Sequence, residues 1–404
     1  MKRRDFLRLA GWTGAGLTLV GSRSQAQPMV RAKVSLVRSG DRAQAVKRAV
    51  GLLGLNSFRD RTVVLKPNFN SAHTFPGSTH NDTLESLIET LLDQDARSLT
   101  VADRSGMGNT RTVMQQKGVF QLASRLGVEV VALDELPAAG WVHSAMPHTH
   151  WSRGLHFPRL FLDADSIVQT CCLKTHRYGG HFTLALKNSV GMVARVSPAD
   201  RHDYMNQLHG SPQMRAMIAE INLLYRPDLI VLDGMEAFVD QGPETGTRAY
   251  PGVMMAGTDP VAVDAVGVAI LRSLGTTPEV TLGEIFDQEQ IRRAVELGLG
   301  VDAPEAIEVL VDDEDSSLFA QSLMPFLGMT VSVARPPLTI QRHAHAVEVS
   351  WPTWQGASRR LTATGNLSAQ PQVWSEVTAP HMVDGSYTRV TLPLGPGQTY
   401  FRLE

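Results

Sequence analysis

Strand-like and helix-like segments alternate between residues 32 and 274, and this alternation constrains the fold more than any other feature. The strand-like segments are short and rich in β-branched residues, whereas the helix-like segments repeat apolar residues at helical spacing. Such an alternation predicts an α/β fold with a mostly parallel open sheet and helices on both faces. We expect strands at residues 32–37, 62–65, 98–102, 128–133, 166–173, 228–232 and 252–256. Helices are expected at residues 42–53, 83–92, 110–126, 182–193, 212–224 and 260–274.

Other stretches depart from this alternation. Residues 141–162 are rich in His, Trp and Pro, which indicates an antiparallel excursion from the sheet. From about residue 331, short alternating segments predict strands at residues 347–351, 360–364, 372–374, 388–392 and 399–403. We therefore expect an α/β domain at residues 27–330 and a small fibronectin- or immunoglobulin-like β-sandwich at residues 331–404.

The first 26 residues have the pattern of an export signal. Residues 2–7 read KRRDFL, a twin-arginine motif, and residues 24–26 read SQA, a small-x-small cleavage site. The apolar core at residues 9–20 is too short for a permanent anchor, so we expect no transmembrane segment in the mature chain. The alternative is a basic N-terminal helix of the folded domain. The export pattern predicts a periplasmic or extracellular protein.

Net charge and cysteine content argue against two classes of protein. The chain has a formal net charge of −2, and removing residues 1–26 takes away five basic residues and one acidic residue. No basic patch or arm stands out, so nucleic acid is not expected as a partner. The only cysteines are the adjacent Cys171 and Cys172. We interpret them as core thiols, with no disulfide framework and no iron–sulfur cluster.

Residues 173–188, which read LKTHRYGGHFTLALKN, form the leading candidate site. They follow the predicted strand 166–173, present Lys174 and His176, turn through two glycines and enter a helix-like segment that carries Lys187. Open α/β sheets hold ligands at the carboxyl ends of their strands. We therefore expect Lys174, His176 and Lys187 to be catalytic. The alternative is an ordinary strand–helix loop with solvated charges.

Five of the predicted strands are each followed closely by charged or amide residues. These residues are Lys66, Asn68, Asn70, Asp103, Arg104, Lys174, Asp233 and Asp259. Because the carboxyl ends of parallel strands meet at one edge of a sheet, we expect one composite site at that edge. The residues expected to bind a cofactor there are Lys66, Asn68, Asn188 and Asp259. The alternative is that these polar residues only cap strands and form turns.

Histidines are concentrated in one part of the chain. Eight of the 13 lie between residues 143 and 209, and imidazole is a common ligand for zinc, copper, iron and nickel. A bound divalent metal is therefore one hypothesis, with ligands His176, His202, Asp103 and Asp233. No compact spacing such as HExxH is present, and each histidine taken singly is more simply interpreted as a surface or hydrogen-bonded residue.

Five short motifs in this order resemble the family called "domain of unknown function 362". They are KPN at residues 66–68, LKTH at 173–176, KN at 187–188, LDG at 232–234 and GTDP at 257–260. The likeness covers roughly residues 34–275. Some members of that family carry ferredoxin-type cysteine clusters, which this chain lacks, and membership does not define a reaction.

A shorter stretch resembles the nickel-dependent lactate racemases. The order of His176, Lys187 and His202 around a glycine-containing turn is similar to the His…Lys…His arrangement of those enzymes. There the lysine tethers a pyridinium-derived pincer cofactor and a histidine helps to hold the metal. The likeness covers only about thirty residues.

These observations lead to a working hypothesis on function. We expect an exported, cofactor- or metal-dependent enzyme that acts on a small, anionic molecule, with the reaction left open. Lys66, Lys174 and Lys187 would hold the negative charge, His176 would move a proton, and the aspartates would bind metal or orient histidine. The alternative is a periplasmic module that binds a small molecule without turnover.

Overall fold

The computed structural model describes residues 31–55, 58–329, 338–352, 360–366, 373–384, 387–394 and 399–403. The predicted export signal lies outside these residues. In the described part of the chain, no helix is both long enough and apolar enough to span a membrane.

Twelve strands precede residue 311 in the described chain, and ten of them form one sheet. The twelve are β1 (Ala32–Arg38), β2 (Thr62–Lys66), β3 (Ser98–Asp103), β4 (Glu129–Ala132), β5 (Trp141–Ser144), β6 (Leu155–Pro158), β7 (Ser166–His176), β8 (His181–Thr183), β9 (Leu229–Gln241), β10 (Gly246–Ala249), β11 (Val253–Gly257) and β12 (Ile307–Leu310). β5 and β6 pair separately as the antiparallel excursion predicted for residues 141–162.

The helices fall between these strands. They are α1 (Arg42–Leu52), α2 (Asn81–Asp93), α3 (Thr110–Gln116), α4 (Val119–Leu126), α5 (Arg159–Asp163), α6 (Ala185–Asn188), α7 (Tyr204–Gly210), α8 (Met214–Ile221), α9 (Pro260–Ser273), α10 (Pro278–Thr281), α11 (Glu289–Glu296) and α12 (Glu314–Leu323). Single 3-10 turns occur at Leu133–Glu135, Ala138–Gly140, Ser189–Met192, Asn222–Leu224, Ile285–Asp287 and Pro304–Ala306. Side-chain caps define several helix starts; Asp41, for example, accepts the N–H of Gln44 at the start of α1.

The main sheet has the strand order β12-β1-β11-β9-β7-β2-β3-β4, with β10 added beside β9 and β8 beside β7. Five of the seven pairings along this order are parallel, and the two pairings made by β11 are antiparallel. Successive residues of a strand face opposite sides, which separates two hydrophobic cores. Ile230 and Leu232 of β9 belong to one core, and Leu229 and Val231 belong to the other. The predicted α/β fold is confirmed.

The predicted helix at residues 110–126 is two helices. Gly118 has a φ of +69°, between the end of α3 and the start of α4. A left-handed conformation at one residue ends a helix, and glycine adopts it without a steric penalty. The apolar spacing of the two short helices is continuous enough to look like one helix in the sequence.

The predicted helix at residues 182–193 also needs correction. β7 continues to His176, the chain turns at residues 177–180, and β8 returns antiparallel to β7, with His176 opposite His181. Only Ala185–Asn188 is α-helical, followed by a 3-10 turn at Ser189–Met192. A short apolar run in the sequence does not distinguish a strand from a helix. Pairing with β7 makes residues 181–183 a strand.

The direction of β11 changes the expected composite site. β11 is antiparallel to β9, with Gly257 beside Ile230 near the start of β9. The residues after β11 therefore lie at the opposite edge of the sheet from the carboxyl ends of β2, β3 and β7. The expectation that Asp259 joins the other strand ends is wrong for this reason.

The last described strands form two small antiparallel sheets. They are β13 (Thr339–Arg342), β14 (Ala346–Pro352), β15 (Leu361–Thr364), β16 (Ser375–Glu376), β17 (Met382–Asp384), β18 (Tyr387–Pro393) and β19 (Tyr400–Leu403). Four strands pair in the order β13-β14-β18-β17, and three pair as β16-β15-β19. Trp351, Leu361 and Val390 are among the residues of a separate small core. The boundary at residue 331 and the sandwich class stay predictions.

Candidate functional site

A small cavity of about 50 Å³ lies where β2, β3 and β7 end. These three strands are parallel neighbours, so their carboxyl ends share one edge of the sheet. The charged or ionisable side chains that line the cavity are Lys66, Asp103, Arg104, Lys174, His176 and Lys187. Four of them are cationic, and one is a carboxylate.

The single carboxylate is held by a lysine in a buried ion pair. Lys66 Nζ lies 2.7 Å from Asp103 Oδ1, and both side chains are about 1% exposed. Burial lowers the pKa of Lys66 and raises the pKa of Asp103, while their mutual attraction opposes both shifts. Asp103 also accepts the N–H groups of Phe69 and Arg104, at 2.7 and 2.8 Å. Asp103 is therefore neutralised and saturated within the protein.

Gly191 allows this ion pair to form. A Cβ at residue 191 would lie 2.6 Å from Asp103 Oδ1 and 2.7 Å from Lys66 Nζ. Neither atom could move away without breaking a buried charge pair. Only glycine fits at this position.

Lys174 is fully buried without a carboxylate partner. Its ammonium group donates to Asn68 Oδ1, Gly77 O and Pro243 O, at 3.0, 2.6 and 3.1 Å. Burial lowers its pKa to about 8, because the loss of hydration outweighs the attraction of Glu244 and the other nearby groups that favour the charged form. Lys174 is a fixed positive charge with all three of its donors in use.

Asn188 connects the two buried lysines. Its Oδ1 accepts from Lys66 Nζ and from Asn68 Nδ2, each at 3.1 Å. Its Nδ2 donates to Gln169 Oε1 and Thr170 O. Asn68 then accepts from Lys174, so one amide network fixes both ammonium groups.

Arg104 contributes charge but has little capacity to bind a ligand directly. Its guanidinium group donates to the carbonyl oxygens of Val193, Ser105 and Val190, at 2.7, 3.1 and 2.7 Å. Burial lowers its pKa to about 10. Arg104 therefore stays protonated near neutral pH and adds positive potential to the cavity.

Lys187 differs from the other cations of the cavity. Within the described chain, its ammonium group makes no hydrogen bond and no ion pair, although part of the side chain is exposed. Burial, together with the charges of Lys174 and Arg104, lowers its pKa to about 7. Near neutral pH, the Lys187 amine is a mixture of charged and neutral forms.

His176 lines the same cavity with an unsatisfied ring nitrogen. Its Nδ1 atom is buried and has no hydrogen-bond partner in the part of the chain that the structure describes. Burial holds its pKa well below the usual value, and the charges of Lys187 and Lys174 act in the same direction. His176 is therefore neutral near pH 7 while the cavity is free of an anion.

Gly180 brings His176 and Lys187 close together. A Cβ at residue 180 would lie 2.7 Å from Lys187 Cε and 3.1 Å from His176 Nδ1. The β7–β8 turn can cross these two side chains only because residue 180 has no side chain.

Two further polar atoms at the cavity have no partner. Asn70 Nδ2 and Thr183 Oγ1 are buried and make no hydrogen bond within the described residues. Both residues line the same small space as the partly exposed Lys187. Buried donors are nearly always satisfied, so this arrangement matches a small molecule that brings acceptor oxygens.

Other predicted site residues lie elsewhere. Asp233 accepts from Arg42 Nε at 3.0 Å and from the Thr83 hydroxyl, where β9 packs against α1 and α2. His202 Nε2 lies 2.8 Å from Gln207 Oε1. Asp259 accepts the N–H groups of Val261, Ala262 and Val301, so it caps α9.

The predicted metal ligands therefore do not form a ligand set. Asp103 and His176 line the cavity, whereas Asp233 and His202 do not. No group of three or more His, Cys, Asp or Glu side chains with metal-binding proximity occurs among the described residues. Asp233 is instead bound by Arg42 and Thr83, and His202 lies within hydrogen-bond distance of Gln207.

Three polar residues that line the cavity were not among those expected to be catalytic, cofactor-binding or metal-ligating. Two of them, Arg104 and Asn70, follow predicted strands closely, which is the signal that marked the composite site. No sequence pattern placed Thr183 at the cavity. Its position depends on the β7–β8 hairpin, and the sequence predicted a helix for residues 182–193 instead.

The fold and the cavity define an α/β protein with a cationic pocket at the carboxyl edge of its sheet. The chain belongs to the family described as domain of unknown function (DUF362), whose profile matches residues 63–269. A thylakoid-associated protein of Synechocystis sp. is 25% identical over 213 residues, which are 52% of this chain. The match spans 63% of that relative, less than two thirds of its length.

One solved structure is a more distant neighbour. The lactate racemase apoprotein of Thermoanaerobacterium thermosaccharolyticum matches with 14% identity and a TM-score of 0.33, over 52% of each chain. The roles of the cavity residues are therefore inferred from this chain alone.

Proposed function

We propose that this chain is an exported enzyme that binds a small anion in the cationic cavity and exchanges a proton with it. The unpaired ammonium group of Lys187 is the observation that carries the proposal. Four cations surround a space of about 50 Å³, and the only carboxylate among the lining residues is already bound by Lys66. An anion with acceptor oxygens would restore both charge balance and hydrogen bonding.

The lining residues divide into two groups by chemistry. Lys66, Lys174 and Arg104 are held in place by fixed hydrogen bonds, so they provide a preorganised positive potential near neutral pH. Lys187 and His176 have no such bonds, and their pKa values are lowered. A group whose pKa lies near the working pH is suited to general acid–base chemistry. Lys187 is the better candidate for proton transfer, with His176 beside it.

The donor set does not fit a divalent metal. Metal ions need several deprotonated ligands, and besides the neutral His176 this cavity presents ammonium and guanidinium groups and one carboxylate that is already paired. The metal-dependent form of the hypothesis is therefore not carried forward. A small anionic substrate or an anionic organic cofactor fits the same charges.

Anion binding is expected to weaken as pH rises. Lys187 has a pKa of about 7, so its attractive charge is present below that pH and is lost above it. Lys174 has a pKa of about 8, so its positive charge is lost at a somewhat higher pH than that of Lys187. We expect the affinity for oxalate or sulfate to fall on the order of tenfold or more between about pH 6 and about pH 9. Isothermal titration calorimetry in two buffers of different ionisation enthalpy would show proton uptake on binding.

The Lys187→Met variant is the matched control for that titration. It should bind weakly at every pH, with its remaining pH dependence centred near the Lys174 pKa of about 8. An affinity that does not change with pH, or a variant that binds like the wild type, would contradict the proposed role of Lys187.

A binding module without turnover is the second candidate. The fixed hydrogen bonds of Lys66 and Lys174 favour it, because a passive receptor needs charges that do not move. Incubation of bound small carboxylic acids in D₂O separates the two functions. Exchange of a carbon-bound proton, seen by NMR and lost in Lys187→Met, supports an enzyme; tight binding without exchange supports the module.

Export is tested through the twin-arginine motif. Changing Arg3→Lys together with Arg4→Lys should leave unprocessed precursor in the cytoplasm, because the translocation machinery reads this pair as an address. Arg8→Lys, which removes no residue of the pair, is the control and should export normally. Immunoblots of cell fractions report the result, and normal periplasmic recovery of the double variant would remove the export proposal.

A further inference from the structure

We propose that Lys187 is an amine nucleophile that forms an imine with the carbonyl group of a small oxo acid. The inference rests on the proposed anion site and deepens it by naming a class of substrate. It is carried by the position of Lys187, which lines the cavity and whose amine has no partner among the described residues, while Lys174 and Arg104 donate hydrogen bonds to fixed oxygens.

A lysine must be free and neutral to act as a nucleophile. The ammonium groups of Lys66 and Lys174 are fixed by the hydrogen bonds that they donate. Asp103, the one carboxylate among the lining residues, is paired with Lys66. Lys187 has no group within the described chain that holds it as an ammonium ion. Its lowered pKa has the two causes that activate lysines in general, desolvation and a second cation nearby.

The neighbouring charges select an acid rather than a simple aldehyde or ketone. Lys174 and Arg104 hold positive potential at the cavity and have no unpaired carboxylate to neutralise it. Asn70 Nδ2 and Thr183 Oγ1 are donors without acceptors in the same lining. A carboxylate on the substrate would take up these interactions while the carbonyl carbon approaches Lys187.

The size of the cavity limits this part of the substrate to a few atoms. About 50 Å³ holds a few water-sized groups, enough for a carboxylate and an adjacent carbonyl. His176 also lines a second cavity of about 320 Å³, together with Arg177, His181 and Asp240. The remainder of a longer oxo acid would extend past His176 into that space.

The step balances without an added oxidant or reductant. The Lys187 nitrogen lone pair attacks the carbonyl carbon, and the π electron pair moves to oxygen to give a carbinolamine. The two amine hydrogens then leave with that oxygen as water, and a C=N bond replaces the C=O bond. His176 Nδ1 and Lys187 Cε both lie close to the backbone of Gly180, so His176 would be the group that relays these protons.

Reductive trapping tests this inference. The full chain is incubated with glyoxylate or pyruvate, treated with borohydride, and analysed by intact mass and peptide mapping. We expect one adduct, on Lys187, formed at least on the order of tenfold faster than on any surface lysine, because an ordinary lysine has a pKa of about 10.4. Lys174 should not react, because three acceptors hold its ammonium group. Trapping should increase as pH rises through about 7, opposite to the trend for oxalate binding.

Two variants complete the experiment. Lys187→Met should give no adduct, whereas Lys47→Met, which removes an exposed lysine paired with Glu89, should be labelled like the wild type. Adducts spread over surface lysines, or no adduct at saturating pyruvate, would overturn the inference. If oxalate still binds in that case, the anion site stands and only the imine is wrong. If oxalate does not bind either, the proposed function fails as well.

Discussion

Replacing Lys66 by methionine is expected to destabilise the protein by about 3–5 kcal/mol. The variant would leave Asp103 ionised, about 1% exposed and without its partner at 2.7 Å. Two N–H groups would still donate to Asp103, but they cannot supply a full opposite charge. Urea unfolding followed by circular dichroism would measure the loss.

The pH dependence identifies the cause of that loss. Burial already raises the pKa of Asp103, and removal of Lys66 should raise it further. A carboxyl whose folded-state pKa lies above its unfolded value contributes stability at low pH that is lost as pH rises. The stability that Lys66→Met loses relative to the wild type should therefore become smaller as pH falls toward the ordinary aspartate pKa of about 3.9.

A double variant provides the control. Lys66→Met with Asp103→Asn removes both charges and keeps an oxygen that can accept a backbone N–H. It should recover part of the stability lost in the single variant, because breaking a buried pair costs more than replacing it. A double variant less stable than Lys66→Met would mean that Asp103 acts mainly as a neutral acceptor of hydrogen bonds.

Replacing Lys187 by methionine is expected to have opposite effects on stability and function. Lys187 has no partner among the described residues, and its lowered pKa means that the fold disfavours its charged form. At about pH 7 and below, the variant should gain about 0.5–2 kcal/mol, the range of single stabilising changes. The loss of a proton-transfer group should reduce turnover on the order of a hundredfold or more.

The lowered pKa of Lys187 also determines how the stability difference between Lys187→Met and the wild type changes with pH. Between about 7 and 10.5, the unfolded chain holds the Lys187 proton and the folded chain does not, so wild-type stability rises with pH. The advantage of Lys187→Met should decline across this window. Thermal unfolding at several pH values checks the trend.

Lys174→Met is the comparison for the Lys187 variant. It removes a buried charge too, but it leaves Asn68 Oδ1, Gly77 O and Pro243 O without their donor. Unsatisfied buried acceptors cost about 1–3 kcal/mol each, so this variant should lose stability. Equal losses in both variants would show that Lys187 is structural and not a residue kept for its chemistry.

Much of the fold followed from local patterns. Alternation of strand and helix signals predicted the α/β class, because the hydrophobic period of a segment is set by its own residues. The ends of β2, β3 and β7 placed Lys66, Asp103 and Lys174 near one another, since neighbouring parallel strands end at the same edge. These parts of the site needed no knowledge of long-range contacts.

What the sequence by itself determined was therefore the type and order of the elements and the residues at their ends. Only the tertiary structure decided the direction of β11, which moves Asp259 to the opposite edge, and the hairpin that presents His176 and Thr183. It also decided which lysines find partners: Lys66 meets a carboxylate 37 residues away, Lys174 meets neutral acceptors, and Lys187 meets none within the described residues. Strand direction and charge pairing depend on groups distant in the sequence, so no local pattern encodes them.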